Sequence, residues 1–113
     1  MKIIKDKISK EELKDMSKNT FGNLVKAVVD TQREVMAMGG ELHSDGESLL
    51  LKDGSSQKDL WGINVYPDLA DENMIEFDSM INLRPSQNNL TRGVESPKIQ
   101  QRIKEIVNKL IKQ

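Results

Sequence analysis

The first half of the chain alternates short apolar runs with capped helical segments. The run "KIIK" predicts a strand, and "SKEELKDMSKNTFG" predicts a helix with Ser9 as N-cap and Gly22 near its end. Two apolar runs flank the polar residues of "NLVKAVVDTQREVMAM", which predicts a hairpin. A second helix is expected over "HSDGESLLLKDG", with Ser44 as N-cap, Glu47 as its capping partner and Gly54 as the stop.

Alternation of period two dominates the next part of the chain. The segments "DLWGINVYP" and "NMIEFDSMINL" predict a second hairpin, with an acidic connection after Pro67. Its core face is expected to carry Trp61, Ile63, Val65, Ile75, Phe77, Ile81 and Leu83. Its solvent face is expected to carry Asn64, Tyr66, Glu76, Asp78, Met80, Asn82 and Arg84.

The segment "SPKIQQRIKEIVNKLIK" predicts a last helix, with Ser96 as N-cap and Pro97 at the first helical position. Its apolar stripe consists of Ile99, Ile103, Ile106, Val107, Leu110 and Ile111. The order β-α-ββ-α-ββ-α has hairpins rather than β-α-β units. It therefore predicts one α+β domain over residues 1–113, with a mainly antiparallel sheet and three helices on one of its faces.

The composition fits a folded globular chain, with 36% hydrophobic residues, 31% charged residues and a net charge of −1. Without cysteine there is no disulfide framework and no thiolate chemistry. The longest apolar run, "VMAM", is far shorter than the roughly 18 residues of a membrane helix, and "MKIIKDK" lacks the apolar centre of a signal peptide. We therefore expect a cytoplasmic protein without membrane contact.

Several long segments together resemble a known family: "FGNLVKAVVD", "MAMGGELHSDGESLLLKDGSSQ", "DLWGINVYP" and "IEFDSMINLRPSQNN" followed by "RGVESP". The family consists of small prokaryotic proteins and is catalogued as a domain of unknown function. The resemblance covers nearly the whole chain. It implies no activity, cofactor or catalytic residue, so the candidate chemistry has to come from the residues themselves.

The polar loop before the last helix is the first candidate site. Asn88 tolerates left-handed backbone geometry, and the loop leads to a helix start whose free N–H groups attract anions. Two guanidinium groups nearby suit phosphate or carboxylate. We therefore predict a binding protein for an anionic ligand: phosphate, a nucleotide or a carboxylate. The expected ligand-binding residues are Arg84, Ser86, Asn88, Arg92 and Ser96.

A structural interpretation of the same loop is also open. Arg84 would then pair with Glu76 or Asp78 on its own strand face, and Ser96 with Glu95 would satisfy the helix start. The polar side chains between them would cap turns.

A second candidate is a divalent-metal-dependent hydrolase. Glu76 and Asp78 share a strand face and are weak candidates for metal ligands. The alternative is a solvated face whose charge Arg84 balances. His43 is the single histidine, and with Glu41 and Asp45 nearby it permits a mixed ligand set or a surface position at a helix start.

Nucleic acid is not an expected partner. The last helix carries basic residues that would suit phosphates: Lys98, Arg102, Lys109 and Lys112. Residues 84–113 contain no aromatic side chain on which a base would stack.

The strand predicted over "EVMAM" is apolar on both faces, with Met36 and Met38 on one and Val35 and Ala37 on the other. Such a strand is either covered on both sides or used in a subunit contact. We expect a homodimer. The third possible function is therefore a homodimeric structural or interaction module without a ligand.

Overall fold

A computed structural model describes residues 1–112 of the chain. Its helices are α1 Lys10–Lys18, α2 His43–Lys52 and α3 Pro97–Leu110. Its strands are β1 Lys2–Ile4, β2 Ile8–Ser9, β3 Val25–Asp30, β4 Val35–Met38, β5 Leu60–Val65, β6 Ile75–Glu76 and β7 Ile111–Lys112. The predicted α+β class is confirmed, and no helix within this range has the length and apolar character needed to cross a bilayer.

The main sheet has five strands in the order β1-β4-β3-β5-β6, and each neighbouring pair is antiparallel. β3 lies at its centre, where Val28 is opposite Ala37 of β4 and Gly62 of β5. The short strands β2 and β7 form a separate parallel pair that joins the start of α1 to the end of α3. Because β3 and β4 are consecutive antiparallel neighbours, the first predicted hairpin is confirmed.

Helices cover both faces of the sheet, so the expectation that all three lie on one face is wrong. α1 and α3 pack on the face of Val29, Met36 and Trp61. α2 packs on the other face, where Leu50 meets Val28. The physical reason is that β4 and most of β3 are buried on both faces, and apolar side chains on both faces of a strand need a cover on each side.

Met36 and Met38 are fully buried in the core that α1 and α3 cover. The sequence left two explanations for the apolar strand β4, a cover on both sides or a subunit contact. In the structure the strand is covered on both sides by parts of the same chain. The pattern of β4 is thereby explained without a subunit contact, and the homodimer stays a prediction.

Two of the three predicted helix caps are confirmed. The Ser9 hydroxyl accepts the Glu12 N–H at 3.1 Å, and the Ser96 hydroxyl accepts the Ile99 N–H at 3.3 Å. The assignment of Ser44 as N-cap with Glu47 as partner is wrong. The N-cap is Leu42 and α2 begins at His43, two residues before the start that a Ser44 cap implies, because the Asp45 carboxylate accepts the N–H of Leu42 at 3.3 Å and stabilises the helix start there.

The second strand of the second hairpin is much shorter than predicted, because β6 ends at Glu76. The chain then forms a 3-10 turn over Met80–Asn82. Ile81 packs on the α2 side of the sheet rather than with the other core residues, and Leu83 is 39% exposed. Asn82, expected to face solvent, is fully buried.

Gly62 of β5 explains this departure. A Cβ atom at Gly62 would lie 2.5 Å from the side chain of Ser79, so the close approach of this segment requires glycine. The Asn82 side chain then takes the place of a neighbouring strand. It accepts the Gly62 N–H at 2.8 Å and donates to the Gly62 carbonyl at 3.0 Å.

The loop that follows is held by a second buried asparagine, Asn89. Its Nδ2 donates to the carbonyls of Asn82 and Gly93 at 2.8 Å each, and its Oδ1 accepts the Glu95 N–H at 2.9 Å. Asn88 has φ of +60°, the left-handed geometry that its residue type predicts. The loop therefore folds around its own asparagines and leads into α3.

Candidate functional site

A pocket of about 190 Å³ lies between the start of α2 and the sheet. Lys26 of β3 and Asn64 of β5 are opposite each other in the strand register, on the face that α2 covers. His43 enters from the first residue of α2. The remaining polar lining residues are Ser44, Asp78, Ser79 and Arg92. Three separate elements therefore bring polar side chains to one place.

His43 reaches the pocket because α2 lies close to the sheet. His43, Gly46 and Leu50 form the buried side of the helix. A Cβ atom at Gly46 would meet Val28 at 3.0 Å, so glycine permits this approach. The helix start is thereby held against β3 and β5.

The protonation of His43 follows from its contacts. Its Nε2 lies 2.8 Å from the Ile63 carbonyl, which only accepts hydrogen bonds, so Nε2 carries a proton and donates it. Burial lowers the pKa of His43, and this effect outweighs the opposing hydrogen bond to Ile63. The ring is therefore neutral at pH 7, with Nδ1 as an acceptor.

Asn64 lies at the base of the pocket and is 8% exposed. Its Nδ2 donates to Glu76 Oε1 at 2.8 Å, and the same oxygen accepts the Tyr66 hydroxyl at 2.9 Å. Because a carboxylate only accepts, this contact fixes the orientation of the amide. The Asn64 Oδ1 is buried and has no hydrogen-bond partner within residues 1–112. Buried acceptors without a partner are uncommon in folded proteins.

The charged side chains of the pocket are two cations and one anion. Arg92 Nε lies 2.8 Å from Asp78 Oδ1, and the two side chains are 57% and 42% exposed. The Lys26 ammonium lies over the ring of Phe21, 5.1 Å from its centre. With His43 neutral, the lining side chains carry one excess positive charge.

Arg84 does not line this pocket. Its guanidinium group donates to the main-chain carbonyls of Ile81 and Gln57 at 2.9 Å each, and to that of Leu60. It also lies over the Trp61 ring, 4.5 Å from its centre. Burial lowers the pKa of Arg84. The residue thus ties the edge of β5 to the loop, and it does so without the expected pairing with Glu76 or Asp78.

The other residues predicted to bind an anion do not line the pocket. Ser86 and Asn88 are exposed in the loop, and the Ser96 hydroxyl caps α3. Of the five residues predicted from the sequence, only Arg92 lines the pocket.

The two candidate metal ligands are both engaged by other side chains. Glu76 accepts hydrogen bonds from Asn64 and Tyr66, and Asp78 pairs with Arg92. Within residues 1–112 there is no group of three or more His, Asp or Glu side chains placed to hold a metal ion. The metal site stays a prediction from the sequence.

Sequence reasoning did not propose Lys26 or Asn64 as site residues, and it considered His43 only as a metal ligand or as a surface residue. A signal for the first two was present, since each is a polar residue within an otherwise apolar strand, "VKAVV" and "GINV". His43 was misplaced by the two-residue error in the start of α2.

The family model described as "Protein of unknown function (DUF5674)" matches residues 2–110 of the chain. The chain belongs to this family. The resemblance drawn from the sequence is thereby confirmed. Comparisons with curated proteins and with solved structures give no match.

His43 is expected to make the stability of this DUF5674 chain depend on pH. Its pKa in the folded state is below the ordinary 6.5, so the unfolded chain binds more protons as the pH falls. The free energy of unfolding should therefore decrease below about pH 6.5 and continue to fall through the folded pKa. Urea denaturation between about pH 7 and pH 5 measures this loss.

The control for this experiment is His43→Gln, whose amide retains a donor for the Ile63 carbonyl. Glu34 and Asp53 have pKa values lowered by their basic partners, so their contributions are lost only below the ordinary carboxylate values of 4.5 and 3.8. If the stability of His43→Gln depended on pH as strongly as that of the unsubstituted chain, the assignment of this dependence to His43 would be wrong.

Proposed function

We propose that this protein binds a small anionic ligand, carrying a carboxylate or a phosphate group, in the pocket between α2 and the sheet. The observation that supports this proposal is the convergence of two cationic side chains, Lys26 and Arg92, on one pocket. Concave sites with a few convergent polar groups are typical of ligand binding.

The start of α2 adds to the attraction for an anion. Leu42, His43 and Ser44 all line the pocket, and they form the N-terminal end of a ten-residue helix. The N–H groups at such an end carry about half a positive charge in total. This partial charge acts together with Lys26 and Arg92 and against the carboxylate of Asp45 at the same helix start.

The ion pair between Arg92 and Asp78 does not oppose ligand binding strongly. Both side chains are largely exposed, and exposed pairs contribute at most about 1 kcal/mol. An incoming anion therefore replaces or joins Asp78 as the partner of Arg92 at small cost, and gains a charge-assisted hydrogen bond.

The size of the pocket narrows the ligand class. The pocket has a volume of about 190 Å³ and is open to solvent on one side. Inorganic phosphate or a short carboxylate fits within it. A nucleotide would place most of its atoms outside, so the proposal favours the smaller anions among those expected from the sequence.

Calorimetric titration with phosphate and with acetate at low salt tests the proposal. We expect both anions to bind, and we expect Arg92→Gln and Lys26→Gln to weaken binding by about ten-fold or more, because each removes a charged donor. The matched control is Lys98→Gln, which removes the same charge from an exposed position on α3 outside the pocket.

Two results would contradict the proposal. One is the absence of saturable binding by either anion. The other is an equal loss of affinity in Lys98→Gln, which would assign the effect to net charge rather than to the pocket.

The other two functions expected from the sequence are distinguished with the same samples. Stabilisation by Mn²⁺ that disappears in Asp78→Asn would favour the hydrolase with Glu76 and Asp78. A dimer in solution that responds neither to anions nor to Mn²⁺ would favour the homodimeric module.

A further inference from the structure

Exposed apolar side chains stand beside the polar groups of the pocket. Met80 is 64% exposed and Leu42 is 57% exposed, and both line it. Among the large hydrophobic residues of the described chain, only Leu90, at 67%, is more exposed than Met80. The partly buried Ile81 adds further apolar lining. Part of the lining is therefore apolar and open to solvent.

Two separate segments present these side chains. Leu42 precedes α2, while Met80 begins the 3-10 turn that the buried Asn82 holds against β5. Single exposed hydrophobic residues are ordinary on a protein surface. Two of the most exposed ones at the same small pocket, next to convergent cations, form the mixed lining of a site for an amphipathic ligand.

We infer that the ligand is a short aliphatic carboxylate. This inference rests on the proposed function. The carboxylate group contacts Lys26 and Arg92, and the carbon chain covers Leu42 and Met80. Phosphate has no apolar part that would cover these side chains. The pocket volume of 190 Å³ accommodates a carboxylate with a few carbon atoms, and a longer chain would extend past Met80 into solvent.

The series acetate, propionate, butyrate and pentanoate tests this inference by calorimetry. Each methylene group that leaves water should raise the affinity by about four-fold. The gain should stop once the chain extends beyond the apolar lining. Met80→Ser and Leu42→Ala should each flatten the series, because each removes apolar surface that the longer carbon chains would cover.

The matched control is Leu90→Ser, which removes an equally exposed hydrophobic side chain that does not line the pocket. The dependence on chain length should persist in this variant. All three substituted residues are more than half exposed, so the folded state should be retained and is checked by circular dichroism.

The outcomes separate this inference from the function on which it rests. If acetate and pentanoate bind equally well, the inference that the ligand carries an aliphatic chain is wrong, and the proposal of anion binding stands. If neither the carboxylates nor phosphate bind, both fail. If a blocked dipeptide with a C-terminal leucine binds more tightly than every free acid, the site recognises a peptide end, and the inference of a free aliphatic acid is overturned.

Discussion

Replacing Asn82 with alanine is expected to lower the free energy of unfolding by about 3 kcal/mol or more. The side chain is fully buried, and it satisfies the N–H and carbonyl of Gly62 and also the carbonyl of Arg92, which accepts at 2.9 Å. Each buried polar group that loses its partner costs about 1–3 kcal/mol. Urea denaturation measures the change through the transition midpoint and slope.

The matched control for this substitution is Asn108→Ala on the exposed side of α3, which should change stability by no more than about 0.5 kcal/mol. Asn82→Asp provides a second comparison. It keeps an acceptor for the Gly62 N–H but cannot donate to either carbonyl, so it should also destabilise strongly. A loss below about 1 kcal/mol in Asn82→Ala would contradict the role of this side chain as a substitute for a strand.

Asn82 also connects the fold to the pocket. It holds the turn that carries Met80, and it binds the main chain of Arg92. The wall of the pocket therefore depends on a buried amide that does not itself line it.

Replacing Asp30 with alanine is expected to cost about 3 kcal/mol, because two backbone N–H groups and one hydroxyl lose a buried, charged acceptor. Asp30 is fully buried at the end of β3. Its Oδ1 accepts the N–H groups of Gln32 and Arg33 at 2.9 Å each, and its Oδ2 accepts the Ser55 hydroxyl at 2.6 Å. The turn between β3 and β4 is thereby tied to the segment after α2.

Asp53→Ala provides the comparison within the same network. Asp53 binds Arg33 at 2.7 Å, but its side chain is 28% exposed, so water replaces part of the lost contact. We expect a distinctly smaller loss than in Asp30→Ala, measured by thermal and urea denaturation of both variants. Equal losses of stability in the two variants would show that the burial of Asp30 does not determine the cost of replacing it.

The starts of α1 and α3 and the first hairpin were predictable because their signals are local, whereas the start of α2 was not. Ser9 and Ser96 cap α1 and α3 as their positions predict. The second hairpin was only partly predictable. Its alternation continues to Leu83, yet the strand ends at Glu76 because Ser79 approaches Gly62. That contact joins residues far apart in sequence, and no local pattern encodes it.

The same difference between local and long-range signals explains which residues of the pocket could be predicted from the sequence. Arg92 was found through its residue type, while Lys26 and Asn64 become neighbours only through the register of β3 and β5. Arg84 has the residue type of an anion ligand but is engaged by main-chain carbonyls. For Arg84, the surroundings in the fold determine which groups the side chain contacts.

A titration followed by ¹⁵N–¹H correlation spectra tests the central proposal most directly, because it locates the bound anion within the chain. With acetate or phosphate, we predict saturable shifts of the backbone amides of His43, Ser44, Asn64 and Arg92, with little change in the loop residues 86–88. Shifts that instead centre on that loop and on Ser96, or shifts that never saturate, would contradict the account of this pocket as the binding site.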